Sequence, residues 1–285
     1  MSGLVSKQDS SEKPAKFGDL GVRLISAAIL VALAVGALYA GGALFAAFWL
    51  ITACAVNWEW QGLLGESGRV LRAAAGGVGL ALAASLAQIS SAEAGFAAVL
   101  VFALFVALAA SKSMRLWALG GVLYSGMLVV VPILLRDSEM GAVAIAWLFA
   151  IVWGSDVFAY FGGRFFSGPK LWPRVSAGKT WSGTITGLLA GALLGLATAE
   201  IGTKGQASGM AVFFISVVTS AASQLGDLAE SAIKRRFGVK DSSRLIPGHG
   251  GVMDRIDGFI FAAAFAAALG AVRGLPSVAA GLFFW

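Results

Sequence analysis

The sequence predicts an all-α, polytopic integral membrane protein with about nine transmembrane helices and a cytoplasmic N-terminus. Three observations carry this reading. Mean hydropathy is +0.84, and 58% of the residues are hydrophobic while 13% are charged, where soluble domains carry about a quarter charged. The apolar residues fall into runs of about 18–22, the length that crosses a bilayer as a helix. Lys and Arg gather in alternate connections between those runs.

The runs occupy 22–40, 43–60, 72–89, 94–110, 116–135, 142–160, 183–200, 209–226 and 258–275. Residues 1–21 form a polar, Ser- and Lys-rich tail without the apolar content to order itself. The first run is too long for a cleaved signal peptide and has no small-residue exit. With the N-terminus inside, the cytoplasmic side receives every basic residue except Arg136, Lys204 and Arg273. The opposite orientation would invert that bias, so the N-terminus is placed in the cytoplasm and the C-terminus outside, in the cell's inner (plasma) membrane.

The net charge of +6 therefore does not suggest nucleic acid. It suggests cytoplasmic connections facing anionic membrane lipids or an anionic soluble substrate. Cys54 is the only cysteine, so neither a disulfide framework nor a cysteine metal site is available.

Residues 22–140 form N-terminal membrane helices whose spans show no identifiable chemistry. The character changes in 141–285, where Asp156 lies inside an apolar run and two long basic connections follow, 161–181 and 227–257. Gly183, Gly187, Gly191 and Gly195 recur every four residues along span seven. Such a stripe lets a neighbouring helix approach closely; packing within one bundle is favoured over a subunit interface.

The polar chemistry concentrates around 226–258. Asp227, Glu230, Ser231 and Lys234 fall at i, i+3, i+4 and i+7, on one helix face. A solvated helix end with Glu–Lys pairing would account for that face alone. Pro247, Gly248, His249, Gly250 and Gly251 enforce a turn and leave backbone N–H groups open to an anion. Asp254 and Asp257 flank Arg255 at the start of the last span. One of them would suffice as a helix cap; two, with Asp227, exceed what capping needs. Carboxylates at a membrane interface are costly unless paired or metal-bound. Hard oxygen ligands without cysteine point to Mg²⁺ rather than zinc.

Carboxylates for Mg²⁺, basic groups for phosphates and a glycine turn are the equipment of phosphoryl or nucleotidyl transfer. A phosphate nucleophile is already ionised at neutral pH, so His249 need not be a base; it contacts phosphate or stabilises the turn. Asp156 is a functional candidate as an intramembrane acid; a purely structural hydrogen-bonded pair with Tyr160, one turn on, is the lesser alternative. Lys179 and Thr180 sit where a phosphate could meet the N-terminus of span seven.

The stretch SAIKRRFGVKDSSRLIPGHGGVMDRID, 231–257, resembles the signature of the phosphatidate cytidylyltransferases (CDP-diacylglycerol synthases). Ser231, Ile233, Lys234 and Arg235 match its opening. Lys240-Asp241, Ser243 and Ile246-Pro247 follow in register, and His249-Gly250-Gly251, Val252, Asp254-Arg255 and Asp257 complete it. Looser similarity runs through Asp156, Tyr160 and Gly163, the stretch Ser176, Lys179-Thr180-Trp181 and Gly183, and Gly226-Asp227 with Glu230. Ala177 and Ser182 stand where the family commonly has proline and glutamate.

The resemblance implies an all-helical, usually dimeric membrane enzyme that condenses CTP with phosphatidic acid, releasing pyrophosphate and requiring Mg²⁺ in one or two copies. It also implies that Asp227 and Asp254 are the metal carboxylates, with Asp241 and Asp257 as lesser candidates. Lys179, Lys234, Arg235, Lys240 and Arg255 would neutralise the phosphates, and Ser176, Thr180, Ser231, His249, Gly250, Gly251 and Asp156 would line the substrates. Two alternatives remain beside it: an ion-coupled transporter, and a CTP-dependent enzyme acting on an isoprenoid lipid.

Overall fold

The computed structural model describes residues 17–273 and 275–285; Lys7, Lys13 and Lys16 of the expected tail lie outside them. The chain runs α1 (Phe17–Ala40), α2 (Gly42–Leu63), α3 (Arg69–Ile89), α4 (Ala92–Ala109), α5 (Arg115–Arg136) and α6 (Gly141–Phe166). An antiparallel hairpin follows, β1 (Lys170–Trp172) and β2 (Ser176–Thr180), then α7 (Trp181–Gly202), α8 (Gly209–Arg236), α9 (Met253–Val272) and the single turn α10 (Ala280–Phe283). Among the described residues, α1 to α9 each contain a stretch long and apolar enough to cross a membrane.

The two connections expected at 161–181 and 227–257 are shorter than hydropathy suggests, because polar residues continue the helices. α6 runs on to Phe166 and α8 to Arg236, while α9 begins at Met253. At 1.5 Å per residue, the 28 residues of α8 extend about 42 Å against a hydrocarbon core of about 30 Å. Its last turns, Asp227 to Arg236, therefore belong to an interfacial extension of a spanning helix.

Side-chain size decides which helices touch. Leu, Ile and Phe crowd the outer surface, as at Ile51, Leu104, Phe105 and Ile185, the pattern of helices solvated by lipid. Close contacts use small residues instead. A Cβ at Gly183 or Gly187 would lie 2.6 Å from the carbonyl oxygen of Ala159 or Ser155 on α6. The glycine stripe of α7 is thus spent on α6, whose interface with α7 is the most extensive of the molecule. α8 crosses α9 at another pair of glycines: a Cβ on Gly226 would meet the Asp257 carbonyl at 2.5 Å, and one on Gly258 the Ser223 hydroxyl at 2.5 Å. This crossing sets Asp227 beside the first turn of α9.

One end of the bundle collects the polar segments. The start of α1, the end of α2, the hairpin, the end of α8 and the segment 237–252 all meet there. Ser26 of α1 donates to the Pro247 carbonyl at 3.0 Å, and Trp117 at the start of α5 packs edge-on against Phe237.

Candidate active site

At this polar end α6, the hairpin, α8 and the start of α9 enclose an open cleft of about 660 Å³. Its acids come from three helices: Asp156 from α6, Asp227 from α8, and Asp254 and Asp257 from α9, with Asp241 from the segment between α8 and α9. Its bases are Arg164, Lys170, Lys179, Lys234 and Arg255. The hairpin delivers Lys179 because β2 runs directly into α7, whose first turn Thr180 caps by accepting from the Gly183 N–H at 3.1 Å. Lys179 is ion-paired with the Asp227 carboxylate, and both remain partly exposed.

Asp254 is held much more tightly. Its Oδ1 accepts from Lys234 Nζ at 2.6 Å, and its Oδ2 accepts from the Gly251 N–H at 2.8 Å. The Ser242 N–H reaches both oxygens at 3.2–3.3 Å. Lys234 also bridges to Glu230 at 2.7 Å. Asp254 therefore organises the loop around it as well as facing the cleft. Gly250 makes this possible: its φ of +83° is a backbone conformation that side chains rarely adopt, and a Cβ there would lie 2.7 Å from Asp254 Oδ2.

The N-terminal helices, expected to carry no chemistry, reach into this loop. Glu59 of α2 is buried, with 1% exposure. It accepts four hydrogen bonds: from the Ser242 and Ser243 hydroxyls at 3.0 and 2.6 Å, and from the Val252 and Met253 N–H groups at 2.8 Å each. Sequence reasoning had the means to find it. The rule that an acid inside an apolar run is a functional candidate picks out Asp156 and applies equally to Glu59. Gln224, also missed, donates to Ser155 Oγ and to the Thr184 carbonyl at 3.1 and 3.0 Å, tying α8 to α6 and α7 beside the cleft.

The expected residues divide into two groups. Asp156, Ser176, Lys179, Thr180, Asp227, Lys234, Asp241, Asp254, Arg255 and Asp257 line the cleft. Arg235 instead donates to the Val239 carbonyl, and Lys240 is exposed. Ser231 is half-buried and, with His249, Gly250 and Gly251, stands outside the cleft lining. His249 presents its carbonyl to the Arg255 guanidinium at 2.9 and 3.1 Å. Partial burial, followed by Arg255, lowers its pKa below the ordinary histidine value. Two of the alternatives weighed on the sequence do not hold. Tyr160 does not pair with Asp156; its hydroxyl accepts from Arg164 at 3.3 Å, which the i,i+4 spacing favours. Glu230 does not face water, being 1% exposed against Lys234.

Every acidic donor in the cleft offers carboxylate oxygen, the chemistry that suits a hard cation. Among the described residues no three acidic or histidine side chains converge on a single point; ammonium groups sit against Asp227 and Asp254. The arrangement can bind polyanions that replace those carboxylates as partners of the lysines.

The family model of the cytidylyltransferase family matches residues 21–272. The phosphatidate cytidylyltransferase of Brucella abortus is 47% identical over 174 residues, 61% of this chain and 64% of that protein. The match thus spans somewhat less than two thirds of that relative's length. The Haemophilus influenzae protein of that name is 38% identical over 57% of the chain and 62% of its own length. The one from Pseudomonas aeruginosa is 35% identical over 87% and 95%.

Proposed function

This chain belongs to the cytidylyltransferase family, and we propose that it transfers CMP from CTP to phosphatidic acid, releasing pyrophosphate and forming CDP-diacylglycerol. The observation that carries the reading is the cleft itself. It sets five carboxylates against five basic groups at the polar end of a lipid-solvated bundle, where a soluble triphosphate and a membrane phosphate can meet.

The nucleophile is a phosphate oxygen of phosphatidic acid. It attacks the α-phosphorus of CTP, the bond from that phosphorus to the bridging oxygen of the β-phosphate breaks, and pyrophosphate leaves with the electron pair. An ionised phosphate needs no general base, which agrees with a neutral His249 outside the cleft. Arg164 comes from α6, Lys170 and Lys179 from the hairpin, and Lys234 and Arg255 from α8 and α9, so basic groups from several elements offset the repulsion between the two anions. Thr180 and Ser176 offer hydroxyls beside Lys179.

Asp227 and Asp254 are the residues that would hold Mg²⁺, with Asp241 and Asp257 in the same cleft. When bound, the cation would neutralise charge on the triphosphate and on the departing pyrophosphate. The site faces the cytoplasm if the bias of Lys and Arg orients the chain, and the inner membrane is its location. A homodimer rests on the family resemblance alone.

The test is product identity in vesicles. With CTP, phosphatidic acid and Mg²⁺, the expected product is CDP-diacylglycerol in equal amount to pyrophosphate. A product formed from an isoprenoid alcohol and none from phosphatidic acid would contradict the proposal.

A further inference from the structure

We infer that Glu59 is a positioning residue for this reaction: from the N-terminal bundle it fixes the loop whose N–H groups hold Asp254 in the cleft. The inference rests on the reading above. The loop 242–253 is anchored to the protein through its two ends, and Glu59 grips both. Oε1 accepts from the Ser243 hydroxyl and the Val252 N–H, while Oε2 accepts from the Ser242 hydroxyl and the Met253 N–H. Each oxygen thus spans the loop, closing 242–253 into a ring around one buried carboxylate.

The same residues on their other side hold Asp254. The Ser242 N–H and the Gly251 N–H, both inside the ring, donate to its carboxylate. A Cβ on Gly251 would lie 2.7–2.8 Å from the Glu59 oxygens, so the loop backbone is pressed against them. Asp254 and Glu59 are therefore two anions held by one loop through different donors, with Ser242 serving both through its N–H and its hydroxyl, and displacing one displaces the geometry of the other.

The end of α2 is itself immobilised. Arg72 of α3 donates to the Gln61 side chain and carbonyl at 3.1 Å and to the Gly65 carbonyl at 3.0 Å. Gln61 donates on to the Ala118 carbonyl of α5, and Asn57 to the Ala73 carbonyl of α3. Glu59 thus acts from a clamped helix end. A carboxylate is required, because all four partners donate; a glutamine would turn an amide N–H₂ toward a backbone N–H.

The test is hydrogen exchange of purified full-length protein together with steady-state kinetics, for Glu59→Gln, Glu59→Ala and Glu59→Asp. The expected result is loss of amide protection confined to 242–253 in the Gln and Ala variants. In the same variants kcat falls about 10²-fold, the scale of a misplaced catalytic group, while KM for phosphatidic acid holds. Glu59→Asp, which keeps the charge on a shorter arm, recovers part of both. Unchanged protection in the Gln and Ala variants would overturn the inference, as would lost protection with unaltered kcat.

Should those variants unfold, the double variant Ser242→Ala/Ser243→Ala decides. It keeps Glu59 and its backbone partners, and is expected to lower kcat by about tenfold with a smaller, equally local loss of protection. No change in either would overturn the inference. A wild type inactive with CTP and phosphatidic acid would instead remove the reaction reading, and the exchange result would still decide what Glu59 holds.

Discussion

Asp227 and Asp254 are both paired with a lysine, yet the two pairs differ in kind. Asp227 meets Lys179 at a partly exposed site, where exchange of partners costs little. Asp254 is 5% exposed and accepts from Lys234 and from the Gly251 N–H. Asp227→Asn is accordingly expected to lower kcat by 10²- to 10³-fold or about that without a change in thermal stability, as measured by pyrophosphate release and thermal unfolding in the same detergent. Asp254→Asn should lose both activity and stability, because Lys234 is left half-buried with one partner fewer. For His249 the shift has a sign that can be checked. Its folded pKa lies below the ordinary value of 6.5, so the folded protein binds that proton less readily than the unfolded chain. The associated stability is present above pH 6.5 and is lost as pH falls through the folded value. Activity between pH 7 and 9 should show no step that His249→Ala removes; a step abolished by that variant would contradict a neutral, structural histidine. Most cleft residues were legible because their types and spacings were informative on one helix or one loop. Glu59 was not linked to them, since its partners lie 183–194 residues away and hydropathy carries no information about pairing.

Helix contacts at this end are set by glycine, and element-scale predictions follow from where a side chain would go. Gly226→Leu would drive a branched chain against the Asp257 carbonyl and the Phe261 ring, separating α8 from α9. Overpacking of this kind costs about 1–3 kcal/mol, and here it also parts Asp227 from Asp257. Activity should therefore fall further than the drop in stability alone explains, which kinetics on the folded fraction would reveal. Full activity at reduced stability would mean the crossing only packs. The spans themselves were readable from apolar run length, because each helix must satisfy its backbone internally within lipid. Their ends were not. α8 continues through Asp227, Glu230 and Lys234 since helix hydrogen bonding does not stop where hydropathy falls, and α9 starts five residues before its apolar run because the Glu59 carboxylate receives the N–H groups at its beginning. The hairpin at 170–180 replaced an expected loop, with Lys170 opposite Thr180.

For the whole molecule, the acids of the cleft lie at one end of the bundle rather than at the midplane, where coupled transporters place their sites. Which way that end faces is a separate, testable matter. In a Cys54→Ala background, Lys204→Cys should react with a membrane-impermeant maleimide in intact cells, while Arg174→Cys on the hairpin should react only after lysis. The reverse pattern would turn the cleft outward and exclude cytoplasmic CTP. The two halves of the sequence looked unequal in chemical content, and hydropathy could show nothing else. The structure instead couples them, since α1 and α2 reach the catalytic-type loop through Ser26 and Glu59.

The central claim is that this cleft joins CTP to phosphatidic acid through its α8 and α9 carboxylates. Pyrophosphate release by the purified protein tests it most directly, measured with each of CTP, phosphatidic acid and Mg²⁺ omitted in turn and with Asp227→Asn alongside. Release is expected only when all three are present, and is expected to collapse in the variant. Release without phosphatidic acid, or undiminished release by Asp227→Asn, would contradict it.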